Sequence, residues 1–512
     1  MAPPLLLLSW LPALLALGPS SPPHVRYDDH AIVTAWVEND DELAMLRRIA
    51  DELWSERPGP GAVDARIAPG RMQQLRATGL EFEIRISNVQ SQIDLERARL
   101  TSSPTAHGAD WFSDFRDLSE IQAKLQDMVA AAPDRVELQT IGESLEGRPI
   151  EALRIGYAAT SAPAVLYTGT MHAREWLATM ATMCVANTFA TSDDPAVLDL
   201  IERVGVWVVP VINPDGYEIS WTSDRYWRKN ARDGYGVDLN RNWGYQWALV
   251  GSSADPYEEN YHGEGPFSEP ESAALRDFMI EQPGIAAHID FHSYSQLILR
   301  PWGYGYDIPA DEATLSLLGQ QMSDAMWAAT STDYPSIHAA ELYPAAGAVD
   351  DWSYGERGVM SFTIEMRGDD FVVPPSQIDP ACRENVAAAL AVAQWVAQMT
   401  PPSDDGGASD ETGHEPPPHD EGGDTSADGG GTAGDGANAS ADDNGGDGGG
   451  DDEGDGNGDG GDADALPPGF GLGAGEGEGC ACGSDPRGAP WGLAVLLFVR
   501  RRRRTNASPQ GT

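Results

Sequence analysis

The run Ala164-Val165-Leu166-Tyr167-Thr168-Gly169-Thr170-Met171-His172-Ala173-Arg174-Glu175-Trp176 passes from an apolar segment, through a glycine-containing turn, into a histidine and a glutamate three positions apart. Ala164 to Thr168 is short, rich in β-branched and aromatic side chains and bounded by glycine, so it reads as a buried strand. His172 and Glu175 then stand at the end of that strand. Their spacing puts both side chains on one face of a first helical turn, where they can share one metal ion. The pair alone carries little, because 10 His and 80 acidic residues in 512 positions supply about one or two such pairs by chance.

Working outward, the same kind of segment recurs. Val204 to Ile212, Ala286 to Phe291 and Val359 to Ile364 read as buried strands, and Ser272 to Ile280 and Glu384 to Met399 as helices. Apolar strands alternating with helices from Asp110 to Met399 make an α/β domain with a largely buried sheet, in which ligands sit beyond the strand C-terminal ends. His292, in Asp290-Phe291-His292-Ser293-Tyr294, also ends a strand. Two histidines and a glutamate form one of the catalytic zinc sets and leave a position open for water, which zinc activates near neutral pH. Glu365 ends a fourth apolar segment. Read alone it is a satisfied surface carboxylate; beside three metal ligands it is a general base. Arg228 and Arg241 each have aromatics nearby, and a planar guanidinium suits a terminal carboxylate or a developing oxyanion, although most arginines serve surface ion pairs.

The rest of the chain falls into distinct compositions. Residues 1–21 contain a Leu/Ala-rich run from Pro4 to Gly18 followed by Pro19-Ser20-Ser21, the pattern of a signal peptide, so export is expected. Residues 22–100 carry strand-like and helix-like stretches that predict a small α+β sandwich with two helices. It closes on Arg97 and Arg99, whose local features fit equally an exposed basic pair in a loop open to a trypsin-like protease and a plain domain linker. The formal net charge is −47, and much of it lies in 401–479, a Gly/Asp-rich stretch without Lys or Arg. Such a segment cannot bury enough apolar area to fold and reads as a disordered, self-repelling spacer. The folded part is therefore less acidic than the total suggests, and no nucleic acid partner is expected. Residues 480–512 hold Cys480 and Cys482, a twelve-residue apolar run and Arg500 to Arg504; the run is short of a comfortable membrane span. With 4 Cys in all, a fold held by many disulfides is excluded, while Cys184 and Cys382 fit either a bridge or buried thiols.

Taken jointly, Glu146-Gly147-Arg148-Pro149-Ile150, the His172 to Trp176 segment, Asn213-Pro214-Asp215-Gly216, Trp227-Arg228-Lys229, Asp238 to Trp243, His292 to Gln296 and the Glu365 strand resemble the zinc carboxypeptidase A/B family, from His24 to Met399. The resemblance implies a mixed, largely buried eight-stranded sheet flanked by helices over 101–400, preceded by an activation prodomain over 22–100. It implies one Zn2+ held by His172, Glu175 and His292, with Glu365 as base and Arg228 at the oxyanion. Asn240, Arg241 and Tyr343 are implied to hold the substrate's C-terminal carboxylate, with Arg174 at the next subsite. Asp350 falls where the family's B-type members carry an aspartate for C-terminal Lys or Arg, although Asp350 and Asp351 also fit as caps of a short turn. Gly303, where B-type members often have serine, implies a looser preference. The cysteine pair that bridges a loop in the animal enzymes is absent. Residues 480–512 resemble a Myxo-CTERM type sorting tag, which implies cell-surface attachment. The expectation is therefore a secreted or surface-attached zymogen acting on peptide or protein C-termini and opened by a trypsin-like protease. Two alternatives are a peptidoglycan stem-peptide carboxypeptidase, whose diamino acid also offers a positive charge to Asp350, and a catalytically dead surface binding protein.

Overall fold

The structure, a computed structural model, describes residues 24–54, 61–102 and 110–399. The signal-peptide run, the acidic spacer and the Cys-containing tag lie outside those residues.

The N-terminal segment runs β1 (Ala31–Val37), α1 (Asp40–Ile49), β2 (Glu52–Leu53), β3 (Gly61–Ile67), α2 (Met72–Thr78), β4 (Glu81–Ile86) and α3 (Val89–Ser102). Its antiparallel sheet has the order β2-β3-β1-β4. Alternation decides which face is covered: Val33, Ala35 and Val37 of β1 and Val63, Ala65 and Ile67 of β3 point one way, onto Leu43, Leu46 and Ile49 of α1 and Leu75 of α2. Asn39 caps α1 by accepting from the Glu42 N–H, and three acidic residues fill the first turn while Arg47 and Arg48 lie in the last, as the helix dipole favours.

The third helix corrects the sequence reading. Arg97 and Arg99 are not in an exposed loop but within α3, both half-buried. Arg99 pairs with Asp114, and Leu100 packs against the main core, so contacts with the main body hold a helix that its own weak amphipathicity would not predict.

The main body continues with α4 (Leu118–Ala131), β5 (Val136–Glu143), β6 (Pro149–Ile155), β7 (Ala164–Gly169), α5 (Trp176–Thr191), α6 (Pro195–Arg203), β8 (Gly205–Val209), α7 (Pro214–Thr222) and α8 (Pro270–Glu281). Then come β9 (Ile285–Ser293), β10 (Leu297–Arg300), α9 (Glu312–Thr330), β11 (Ser336–His338), α10 (Ala339–Leu342), α11 (Val349–Arg357), β12 (Met360–Met366) and α12 (Ile378–Ala397). The expected eight-stranded mixed sheet is present, in the order β11-β10-β12-β9-β7-β8-β6-β5. β12, β9, β7 and β8 run parallel at its centre.

Those central strands bury both faces, and their sequence shows it. Val165, Tyr167, Ala287, Ile289, Phe291, Phe362, Ile364 and Met366 face the layer of α5, α9 and α12. Ala164, Leu166 and Ile285 face the opposite layer, with Leu275 and Phe278 of α8 and Trp352 of α11. A disulfide joins Cys184 of α5 to Cys382 of α12, which settles the choice the sequence left open. The chain leaves β7 for β8 on one side while β9 lies on the other, so the strand order reverses at β7. That is where an open α/β sheet forms a crevice beyond its strand ends.

Candidate active site

Three strand ends meet at this crevice. β7 ends at Gly169 and the chain turns through Thr170 and Met171 to His172. His292 and Glu365 sit directly opposite each other in the parallel pairing of β9 with β12. His172 and Glu175 are not in a first helical turn, as their spacing predicted. They lie in the tight turn before α5, closed by a backbone hydrogen bond from the Glu175 N–H to the His172 carbonyl at 3.3 Å. A four-residue turn brings the two side chains together just as a helical turn would.

His172 Nδ1 lies 2.8 Å from Glu175 Oε1, His292 Nδ1 lies 3.0 Å from His172 Nδ1, and His292 Nδ1 lies 3.1 Å from Glu175 Oε2. All three residues are buried. The outer ring nitrogens face carboxylates, His172 Nε2 at 3.1 Å from Asp238 Oδ1 and His292 Nε2 at 2.6 Å from Asp290 Oδ2. With protons on those outer nitrogens, two Nδ1 lone pairs and a carboxylate converge within 4.8 Å of one another. Three acceptors aimed at one point repel unless a proton or a metal cation lies among them, and two imidazole nitrogens with a carboxylate are a donor set that fits a zinc ion. Burial alone would raise the Glu175 carboxyl, but the two imidazoles outweigh it and hold it well below the usual range. At His292 burial disfavours the charged ring, yet Asp290 and Glu175 keep it well above the ordinary imidazole range, so an entering cation displaces a proton.

Beside this group is a cleft lined by His172, Glu365, Asn240, Arg241, Tyr343 and Asp350, with Leu299, Ala339, Ala345 and Thr363 among its walls. Arg241 donates through Nη2 to the Tyr343 hydroxyl at 2.7 Å and through Nη1 to the Asn240 carbonyl at 2.8 Å. Asn240 accepts at Oδ1 from the Val349 N–H at 3.0 Å, tying it to the start of α11. Gly347 permits that approach: its φ is +75°, and a Cβ there would meet the Arg241 carbonyl at 2.6 Å. Asp350 and Asp351 both lie in the first turn of α11, behind a cap residue, Ala348, that offers no side-chain hydrogen bond. Their jobs differ. Asp351 accepts from the Gly303 and Tyr304 N–H groups at 2.8 and 2.9 Å and so braces a wall of the cleft. Asp350 lines the cleft itself, and burial, against the pull of local backbone N–H groups, pushes its carboxyl up to about 6.

Comparison with known proteins agrees with this geometry. A sequence profile of zinc carboxypeptidases matches residues 121–388. Zinc carboxypeptidase A 1 of Anopheles gambiae is 32% identical over 404 residues, covering 74% of this chain and 93% of its own length. This chain belongs to the zinc carboxypeptidase family. Carboxypeptidase B of Astacus astacus is 36% identical over 299 residues, covering 56% of this chain and 98% of the relative. The crystal structure of carboxypeptidase A from Helicoverpa armigera superposes with a TM-score of 0.67 at 29% identity, covering 74% of this chain and 100% of that one. The chain is thus a metallopeptidase of the carboxypeptidase A/B type, and zinc is the metal its family implies.

Four predicted residues stand outside the cleft lining: Glu175 and His292, which form the metal-ligand group beside it with His172, and Arg228 and Arg174. Arg228 donates to Asp238 Oδ2 from Nη2 at 3.1 Å and from Nε at 3.3 Å, and its Nη1 is 3.9 Å from Glu175 Oε1. Arg174 is engaged by Glu52 of β2, donates to the Tyr226 carbonyl at 3.2 Å and stacks 4.2 Å over Phe371. Burial would raise the Glu52 carboxyl, but Arg174 and Arg66 outweigh it and lower it. Sequence reasoning missed Glu52, Asp238 and Asp290. A signal for Asp290 existed: an acid inside an apolar strand, two residues before a candidate ligand.

Proposed function

We propose that this chain is an exported zymogen of a zinc exopeptidase that removes residues one at a time from peptide C-termini and prefers a C-terminal Lys or Arg. The observation that carries the reading is the convergence of the His172, Glu175 and His292 donors, Glu365, the Arg241–Tyr343–Asn240 group and Asp350 on one cleft.

Arg241, Asn240 and Tyr343 bind the free terminal carboxylate, and because a mid-chain residue has none, cleavage is confined to the last bond. Asp350 pairs with the cationic terminal side chain. His172, Glu175 and His292 hold the zinc, which when bound polarises the scissile carbonyl and acidifies water towards neutrality. Glu365 takes the proton from the attacking water and returns it to the departing amine. Arg228, oriented by Asp238, faces the oxyanion that develops.

The N-terminal segment supports the zymogen reading. Beyond the Glu52–Arg174 pair, Glu96 of α3 meets the buried Arg225 at 2.7 Å, and the Tyr27 hydroxyl donates to Asp224 at 2.6 Å. No Lys or Arg occurs between Arg99 and Arg116, and Arg116 is buried, so the sites for a trypsin-like cut are Arg97 and Arg99, in the last turns of α3, once they unwind. Export rests on the N-terminal apolar run, and surface attachment on the tag resemblance.

The test is to nick the full chain with trypsin and compare release of C-terminal Arg and Phe from matched peptides, with and without a zinc chelator. Chelator-sensitive release favouring Arg is expected. Release favouring Phe would discard the Asp350 assignment alone, and no release from either would discard the exopeptidase reading.

A further inference from the structure

On the face of the sheet that meets α8 and α11, three adjacent central strands carry polar side chains where packing would call for apolar ones. Thr168 is on β7, His288, Asp290 and His292 are on β9, and Ser361, Thr363 and Glu365 are on β12. Each set is spaced by two, so it shares one face. Thr168 lies opposite Asp290, and Ser361 opposite His288, in the strand pairings. Thr168, His288, Asp290 and Ser361 are fully buried. A carboxylate is costly in such a place unless every oxygen is satisfied.

The hydrogen bonds satisfy it in one direction only. Asp290 Oδ1 is 2.6 Å from Thr168 Oγ1, Thr168 Oγ1 is 2.8 Å from His288 Nε2, and His288 Nδ1 is 2.9 Å from Ser361 Oγ. A threonine hydroxyl has one proton, and an ionised carboxylate can only accept. Thr168 therefore donates to Asp290 and accepts from His288 Nε2–H, which leaves His288 Nδ1 to accept from Ser361. Asp290 Oδ2 remains an acceptor, 2.6 Å from His292 Nε2. Once an entering cation has displaced the second proton, the remaining proton of His292 is thereby held at Nε2, which leaves the Nδ1 lone pair on the side of His172 Nδ1 and Glu175.

We propose that Asp290 is a positioning residue for the metal centre, and that the Ser361–His288–Thr168 relay exists to hold it there. This inference rests on the reading of His172, Glu175 and His292 as metal ligands. A carboxylate so placed fixes the tautomer and the tilt of the ligating ring and makes its free nitrogen a better donor. The Thr168 hydroxyl orients the carboxylate plane, and His288 occupies that hydroxyl's acceptor side, so Thr168 cannot turn away.

Zinc affinity of the metal-free full chain, measured by competition with a chromophoric chelator, tests this for Asp290→Asn, Thr168→Val and Thr168→Ser. Asparagine can present its amide N–H to His292 and drive the ring proton to Nδ1, so a loss of about 10–100-fold is expected. Thr168→Val, isosteric but without the hydroxyl, is expected to weaken binding several-fold, and Thr168→Ser to restore it. The visible spectrum of the cobalt-substituted protein should shift in the first two variants and not in the third, a change that loss of stability alone does not cause. If Asp290→Asn does not fold, the Thr168 pair decides. Wild-type zinc affinity and an unshifted cobalt spectrum in Asp290→Asn and Thr168→Val would overturn the inference. A wild-type chain that binds no zinc would instead remove the metal-ligand reading beneath it.

Discussion

Replacing Asp350 with asparagine is expected to change substrate preference and stability in opposite directions. Asp350 is a buried carboxylate of the cleft, and in the proposed function it is the partner of a C-terminal Lys or Arg side chain. Removing one partner of a buried charge pair costs about 2–5 kcal/mol, so kcat/KM for a C-terminal Arg peptide should fall roughly 30- to 5,000-fold while that for Phe changes little. The same burial sets the pH dependence. With the carboxyl pushed up to about 6, it is ionised at pH 7.5 and about one-tenth ionised at pH 5, so the wild-type Arg/Phe ratio should drop about tenfold between those values. A ratio cancels the titration of groups that both substrates use. For the fold the sign is reversed. A carboxyl raised from 3.8 to about 6 is more readily protonated in the folded than in the unfolded state, so its ionisation destabilises the fold as pH rises through that window. Asp350→Asn should therefore stabilise the protein at pH 7.5 by on the order of 3 kcal/mol, and not at pH 3.5. The assay is kcat/KM for matched Arg and Phe peptides across pH, with denaturant unfolding of both proteins. An Arg preference that survives in the variant, or a wild-type ratio flat between pH 5 and 7.5, would refute the assignment of Asp350.

The remaining expectations concern the reaction, the metal, the N-terminal segment and the disulfide. Glu365→Gln should lower kcat by about 10²–10⁴-fold while the protein still binds one zinc, as checked by turnover and metal content together. Chelation should abolish hydrolysis and added zinc restore it; activity that persists after metal is shown to be gone counts against the donor set. Glu52→Gln removes the charge facing Arg174 and should raise activity of the uncut chain and speed its tryptic activation, with equal rates counting against a shielding role. Because that carboxyl is lowered in the folded state, its contribution is present above the ordinary value of 4.5 and fades as pH falls through and below it. Replacing Cys184 and Cys382 together with alanine should cost about 2–4 kcal/mol in denaturant unfolding and leave kcat/KM within a few-fold.

The main fold was legible because central parallel strands are apolar on both faces, and runs such as Ala164 to Thr168 and Ala286 to Phe291 have few other uses. The strand ends then pointed to His172, His292 and Glu365. What the chain did not reveal depends on partners far away in sequence. Glu52 contacts a residue 122 positions later, and Glu96 one 129 positions later, so nothing local distinguishes either from a solvent-facing acid. Helix α3 was missed for the same reason: its buried positions, Val89, Gln90, Ile93 and Glu96, make a weak stripe until Arg225 donates to the glutamate. Asp238 became meaningful only when the fold brought its loop to His172, whereas Asp290, two residues before His292 on one strand, could have been read from its place in an apolar segment.

The two faces of the central sheet also differ in how they can change over time. On the α5 and α12 face, a swap between aliphatic side chains of similar volume costs under about 1.5 kcal/mol, so those positions can drift one at a time. On the other face, each of Ser361, His288, Thr168 and Asp290 gives or takes a particular proton, and altering one strands its neighbour. Tolerated change there must come in compensated sets, or begin at the Ser361 end, where the fewest partners depend on the residue that moves.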